Sequence, residues 1–226
     1  MFDESNQEGI DVDRLLNEVG DPEELINSLR GAHRERQERR AKFIDSLSPD
    51  VKAEWIDGQP VYHSPAREAH NAAVQGLATS LQNYSNWRIE LIIRVEKAMV
   101  EAGENNFEPD LCVWLASAHT FDGELVVYPR PDLAVEVLSK KTKKRDLGTK
   151  KREYARAGTS EYWVVDADQQ TILQFTSENK TFVERRTYSR GEVIACHLCP
   201  DLRLPVDAIW DRSAMREFNQ GLITDS

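Results

Sequence analysis

Residues 108–116 read Glu-Pro-Asp-Leu-Cys-Val-Trp-Leu-Ala, and residues 131–139 read Pro-Asp-Leu-Ala-Val-Glu-Val-Leu-Ser. Each is a short apolar run opened by Pro-Asp, the length of a strand and too short for a core helix. A strand covered on both faces reads as such a run rather than as an alternation. A carboxylate inside one, as Glu136 is, is costly without a partner. Residues 146–166, DLGTKKREYARAGTSEYWVVD, follow. They read as a helix with Asp146 at its N-cap and Gly158 beyond its end, then a buried strand, EYWVVD.

Working outward, AEWIDGQPVYHS (53–64) is a hairpin with Asp57-Gly58 as its turn signal. Pro65 to Tyr84 is an amphipathic helix, since Ala69, Ala73, Leu77 and Leu81 recur every four residues. WRIELIIRVEKAMV (87–100) is a strand or a bent pair of strands, and residues 170–189 are a hairpin turning near Glu178-Asn179. Helix and strand alternate with β additions on either side, which predicts an α/β (α+β) domain. Its expected limits are 49–215, with 216–226 as a C-terminal tail. Residues 1–48 are expected to be a helical N-terminal extension. DVDRLLNEV and DPEELINSLR carry helix-spaced apolar residues, Asp21-Pro22 forms a helix start, and GAHRERQERRAKFIDSL continues as a polar helix. A docking or dimerisation role is expected for it.

Of 226 residues, 40% are hydrophobic, enough to bury a core, and the net charge is −10. No apolar run approaches the ~20 residues of a membrane helix, so a membrane-spanning protein is excluded. The acidic start shows no secretory signal and three cysteines build no disulfide framework, so a reducing cytoplasm is expected. Residues 140–156 hold nine Lys or Arg and two acids, a local +7, which leaves −17 on the rest. Lys140, Lys141, Lys143, Lys144 and Arg145 are the candidate contacts to a polyanion, although a charge run can also be a solvated helix face.

Asp110 and Glu136 on neighbouring strands can share a divalent cation, and Mg²⁺ is usually held by one or two carboxylates. Lys150 lies on the same helix side as Leu147 and Tyr154, and Lys151 almost equally so, which leaves both open by periodicity. Two acids, an inward lysine and a basic entrance suit phosphodiester cleavage. Cys196-His197-Leu198-Cys199 has half of a zinc or redox spacing, lacks the other half, and reads as a turn.

EPDLCVW, PDLAVEVLS and DLGTKKREYARAGTSEYWVVD together resemble the Uma-type family of restriction endonucleases in the PD-(D/E)xK nuclease superfamily, over roughly residues 51–212. The upstream AEWIDGQPVYHSP and His70 resemble its amino-terminal signature. The resemblance implies an αβββαβ core with a mixed central sheet. It implies that Asp110 and Glu136 are metal ligands for Mg²⁺ or Mn²⁺, with a backbone carbonyl from Val137. The superfamily lysine is expected two residues after the acid, where Leu138 stands. The family instead carries it on the next helix as D-x-x-x-K-x-x-x-Y, which Asp146, Lys150 and Tyr154 match. Glu54 is implied as a third acid near the metal, its other reading being an edge-strand surface Glu. His70 is implied as an accessory residue of the site. Pro131-Asp132 is a second PD whose Asp shares its strand with Glu136, ~13 Å away. The expected function is Mg²⁺-dependent hydrolysis of phosphodiester bonds in DNA, by a homodimer with one site per strand. A non-catalytic nucleic-acid-binding or assembly module on the same fold is the alternative.

Overall fold

The computed structural model describes residues 21–48 and 50–224. The chain divides into two compact units between Leu47 and Ser48. In the first, helix α1 spans Pro22–Asp45. Asp21 caps it, its side chain accepting from Glu23 N at 2.9 Å, and Pro22 occupies the first helical position, where a missing N–H is not needed. The expected helix around DVDRLLNEV lies outside the described residues.

The second unit opens with β1 (Ala53–Ile56) and β2 (Gln59–Tyr62), paired antiparallel. Asp57 and Gly58 have φ of 51° and 82°, the left-handed pair that a two-residue hairpin turn needs. Helix α2 (Glu68–Trp87) follows, starting and ending three residues later than its apolar spacing predicts. The segment 87–100 resolves into two strands, β3 (Leu91–Val95) and β4 (Met99–Ala102), which belong to different sheets. Strands β5 (Asn105–Phe107), β6 (Leu111–Leu115), β7 (Val127–Tyr128) and β8 (Leu133–Val137) come next.

The expected helix after β8 differs from its prediction. A short α3 (Lys143–Arg145) runs into a π-turn over Asp146–Lys150 and on into α4 (Lys151–Ala157). Ser139 and Thr142 trade side-chain and backbone hydrogen bonds and bring the chain into helical geometry before Lys143. Asp146 therefore sits inside the helical path and is buried, not at an N-cap. Gly158 does end the helix, with φ 96°.

β9 (Glu161–Asp166) is followed by the hairpin β10 (Thr171–Glu178) and β11 (Thr181–Tyr188). Its turn residues are Asn179 and Lys180, with φ of 50° and 60°, one position beyond the expected Glu178-Asn179. A small pair, β12 (Val193–Ala195) and β13 (Arg203–Pro205), leads to α5 (Asp207–Trp210) and α6 (Arg212–Thr224). Helix α6 crosses the expected 215/216 boundary. Phe218 and Leu222, four residues apart on one stripe, join the main core, so residues 216–224 are part of the domain and not a tail.

The central sheet is ordered β11-β10-β9-β8-β6-β3, with β8 and β9 parallel and the other neighbours antiparallel. Within it α2-β3-β6-β8-α4-β9 follows the αβββαβ order. Alternate residues of its inner strands face two cores. Leu111, Val113, Leu133, Val135 and Val137 pack with Leu77 and Leu81 of α2. Cys112, Trp114 and Ala134 face the other way, onto Val100 and Phe107 of a second sheet and Tyr154 of α4. That second sheet is ordered β2-β1-β5-β4-β7. Glu136 shares parity with Ala134 and so points into the space between this sheet and α4.

Helix α2 touches α5 at Gly76. A Cβ there would lie 1.9 Å from the Ile209 carbonyl oxygen and 2.7 Å from its carbon. Backbone cannot yield as a side chain does. Gly76→Ala is therefore expected to destabilise the domain by about 1–3 kcal/mol, the range for overpacking. An exposed helical site would instead gain about 1 kcal/mol. The urea unfolding midpoint decides the sign.

Candidate active site

Pro109 ends one extended segment, and Asp110 enters β6 beside the last residues of β8. Asp110 Oδ2 accepts a hydrogen bond from the Val137 N–H at 2.7 Å, which fixes the carboxylate next to Glu136. Its Oδ1 faces the Lys52 ammonium at 2.6 Å and His70 Nε2 at 3.4 Å. Burial alone would raise the Asp110 pKa, but His70 and Lys52 outweigh it and hold the carboxyl well below its usual range. Reciprocally, burial lowers His70, and Asp110 with Glu96 overcomes that, bringing its pKa up to about 9.

Lys150 is 2% exposed, and its ammonium lies between two carboxylates that are themselves buried. Glu54 Oε1 stands at 2.7 Å and Glu136 Oε1 at 2.8 Å. Tyr154, four residues on, donates its hydroxyl to the same Glu136 oxygen at 3.1 Å. The helical i, i+4 spacing thus aims both side chains at one acid. Lys151 turns the other way, with its ammonium 4.1 Å from the centre of the Phe175 ring. This separates the two lysines that periodicity left equivalent.

Glu54 comes from β1, which lies between β2 and β5 and is not an edge strand. The edge-strand surface reading of Glu54 is therefore corrected: the residue is fully buried. Oε1 also accepts from Glu108 N at 2.9 Å, and Oε2 meets His63 Nε2 at 2.7 Å. Burial would raise its pKa; the Lys150 charge and His63 bring it down to about 2. An unfolded Glu titrates near 4.5, so this ion pair stabilises the fold above that pH and is lost as pH falls toward 2. Glu136 shifts oppositely. Burial, reinforced by Asp146, Asp110 and Glu54, drives its pKa well up against the pull of Lys150. Asp146 is also raised by burial; it lies 4.0 Å from Lys150, and its buried carboxylate oxygens have no hydrogen-bond partner.

His70, Glu96 and Asp110 each offer a ligand atom within 4.8 Å of the others, the one such group among the described residues. His70 Nε2 is buried, 3.4 Å from Asp110 and 3.7 Å from Glu96, and hydrogen-bonds to neither. Lys52 reaches into the group, 3.1 Å from Glu96. Glu96 and Lys97 both take left-handed backbone, φ 53° and 47°, in the tight turn that carries the chain from β3 of one sheet to β4 of the other. Two successive L-residues in that region store strain, of the kind found at functional sites.

Lys150, Glu54 and Glu136 thus form one buried cluster and Asp110 and His70 another, linked through the hydrogen bond from Val137 N, the residue after Glu136, to Asp110 and through the electrostatic effect of Asp110 on Glu136. Asp132 is in neither: its carboxylate accepts from Leu115 N at 3.0 Å and pairs with His119 and Arg130. Lys140, Lys141, Lys143 and Lys144 are exposed, and Arg145 is half-buried. Cys196 and Cys199 are buried free thiols, and Glu161 gathers their turn through Cys196 Sγ, His197 N and Leu198 N at 3.3, 2.9 and 2.7 Å. Sequence reasoning missed Lys52, His63 and Glu96. Lys52 has a legible signal, since it stands two residues before Glu54 and therefore on the same face of the strand. Glu96 has none.

No helix among the described residues is long and apolar enough to cross a membrane. None of the curated proteins matches the chain. A solved structure from Anabaena variabilis, described as "a putative nuclease belonging to DUF820", superposes with a TM-score of 0.62 at 16% identity. The alignment covers 74% of this chain and 94% of that one, and at such identity it speaks for the shared fold. The profile of the Uma2 family, described as "Putative restriction endonuclease", matches residues 39–207. Three quarters of the chain lie within that match, and the protein belongs to the Uma2 family of nucleases.

Proposed function

We propose that the chain is a metal-dependent endonuclease that hydrolyses phosphodiester bonds in DNA. The observation that carries this reading is Lys150, a buried ammonium held by Glu54 and Glu136 beside the His70-Glu96-Asp110 group. The donor set fits a divalent cation, because His70 Nε2 is buried without a hydrogen-bond partner, 3.4 Å from one carboxylate and 3.7 Å from another. Asp110 and Glu136, with His70 and Glu96, would hold Mg²⁺ or Mn²⁺; the carboxylates suit both ions, and the imidazole favours Mn²⁺. When bound, such an ion lowers the pKa of water and offsets charge on phosphoryl oxygens.

The chain's own groups do the rest. An ammonium has three N–H donors. Glu54 and Glu136 take two of those of Lys150, which leaves one to orient the attacking water or a non-bridging oxygen. Tyr154 fixes Glu136, and His63 fixes Glu54, so the ammonium is held in place before substrate arrives. The exposed lysines from Lys140 to Lys144, together with Arg145, contact the phosphate backbone.

Nicking of supercoiled plasmid with added Mg²⁺ or Mn²⁺ is the direct test, and the expected result is cleavage that EDTA abolishes. Plasmid nicking by Glu136→Ala at the wild-type rate would falsify this site. Replacing Lys140, Lys141, Lys143 and Lys144 together by Ala should flatten the dependence of log K on log salt by up to about 4 units, near 0.9 for each phosphate no longer neutralised. An unchanged slope means that these lysines are only solvated.

A further inference from the structure

Strand β3 is one edge of the central sheet, and among the described residues no strand pairs with its outer side. Edges are commonly blunted by charged side chains, above all Lys, by Pro, a bulge or a cover. The strand, Leu-Ile-Ile-Arg-Val, carries one charge, Arg94, has no Lys or Pro, and its register against β6 is unbroken. Glu96 N donates to Asp110 O and Ala116 N to Glu90 O, each at 3.1 Å. In an antiparallel ladder this turns the backbone groups of Glu90, Ile92, Arg94 and Glu96 toward β6, and those of Leu91, Ile93 and Val95 outward. Val95 in the strand and Ile89 just before it are 43% and 37% exposed, and Trp87 at the end of α2 is 50% exposed.

We infer that this edge pairs antiparallel with the same edge of a second copy of the chain, about a two-fold axis at Ile92. The sequence Ile89-Glu90-Leu91-Ile92-Ile93-Arg94-Val95 has the same chemistry read from either end, once charges are matched to their opposites. Leu91 faces the second copy's Ile93, Glu90 its Arg94, and Ile89 its Val95. Both ends of the pairing carry an opposite-charge pair, and the two most exposed strand-side apolar residues cover each other. Moving the axis by one residue destroys this match. Centred on Ile93 it sets Glu90 against Glu96, and centred on Leu91 it sets Arg88 against Arg94. The backbone agrees with Ile92 as the centre, because the Leu91 and Ile93 groups that would exchange hydrogen bonds are the ones turned outward. Two local contacts give way on pairing: Leu91 N to Ser85 Oγ, and the Arg94 guanidinium to Ile93 O, each 2.9 Å.

The two-fold that relates antiparallel neighbours stands perpendicular to the sheet, so both copies present their sites on the same side of one continuous sheet. Glu96 is four residues from the axis, which puts the two turns about 27 Å apart along the strand direction at about 3.3–3.4 Å per residue. A single nucleic-acid duplex then meets both sites under the nuclease reading, although the pairing does not depend on it.

The test reads mass and not cleavage, so its failure is separate from a failure of the nuclease reading. Sedimentation equilibrium of the full chain is expected to show a dimer. Glu90→Arg and Arg94→Glu each oppose like charges at both ends and should weaken dimerisation about 10- to 100-fold. The double variant, Glu90→Arg with Arg94→Glu, restores opposite charges and should dimerise within about threefold of wild type. Val95→Pro removes an outward N–H from an exposed position and should give a folded monomer by circular dichroism. The inference is overturned by a wild-type chain that stays monomeric at about 100 μM, far above an ordinary specific association. It is equally overturned by single variants that dimerise like wild type, or by a folded double variant that does not recover.

Discussion

Lys150→Met is expected to lower folding stability by about 3–5 kcal/mol at neutral pH, the range for removing one partner from a buried ion pair. The wild-type ammonium sits 2.7 Å from Glu54 and 2.8 Å from Glu136. Methionine fills the volume but leaves two buried carboxylates facing each other without their shared cation. Glu136, already raised by burial, then loses the opposing Lys150 charge and rises further, and Glu54 loses the cation that holds it low. A group raised in that way supplies stability at low pH and loses it as pH climbs. The deficit should therefore shrink between pH 7 and pH 5, whereas a simple packing defect would not change. Urea unfolding at both pH values makes the comparison. A deficit under about 1 kcal/mol at pH 7 would mean that the two acids are not held by this lysine. Assayed where the variant is still folded, cleavage should fall about 10²–10³-fold, the scale for losing one preorganised stabilising group. Mg²⁺ binding should survive, because the proposed ligands remain.

Asp110→Asn is expected to abolish cleavage, by about 10³-fold or more, and metal binding with it. The amide oxygen can still accept from Val137 N, so the strands should stay in register and the fold intact. The charge that holds Lys52 and His70 is lost, however. His70 owes its pKa of about 9 chiefly to Asp110 and Glu96 overcoming burial, so its titration midpoint should move down in the variant. Proton NMR of the His70 ring, without metal, follows that shift, and calorimetric Mg²⁺ titration follows the binding. An unmoved His70 midpoint would contradict the 3.4 Å contact between the imidazole and Asp110.

The two-sided burial of β6 and β8 was readable from their apolar runs, and the first hairpin from Asp57-Gly58, because local chemistry alone fixes both. Asp110 and Glu136 stood out for the same reason, as carboxylates where solvent is absent. The choice of Lys150 over Lys151 was not readable from spacing, because a π-turn runs through Asp146–Lys150 and spoils any count of helical phase. Glu96 was invisible. Its place beside Asp110 depends on a left-handed turn between two sheets, and nothing in Arg-Val-Glu-Lys announces that turn. His63 looked isolated because its partner, Glu54, lies across the hairpin on the neighbouring strand. The misplaced C-terminal boundary came from a helix whose apolar stripe is only Met215, Phe218 and Leu222 amid polar residues.

The wide turn at Asp146–Lys150 works as a rotary joint. An α-helix advances about 100° per residue, and a π-turn absorbs one residue more than the same stretch of α-helix. The bearing of Lys143–Arg145 relative to Lys150 and Tyr154 therefore differs by about one residue's rotation from that of an unbroken α-helix of the same length. Closing the turn to α geometry with all its residues kept, and with Lys150 and Tyr154 still anchored on Glu136, would swing the three upstream cations by about 100°. Removing one residue as the turn closes would leave them where they are, since the residue lost is the one the wide turn had absorbed. Relatives one residue shorter between Lys143 and Lys150, with an ordinary α-helix there, should therefore receive their substrate along the same path to the same chemical centre.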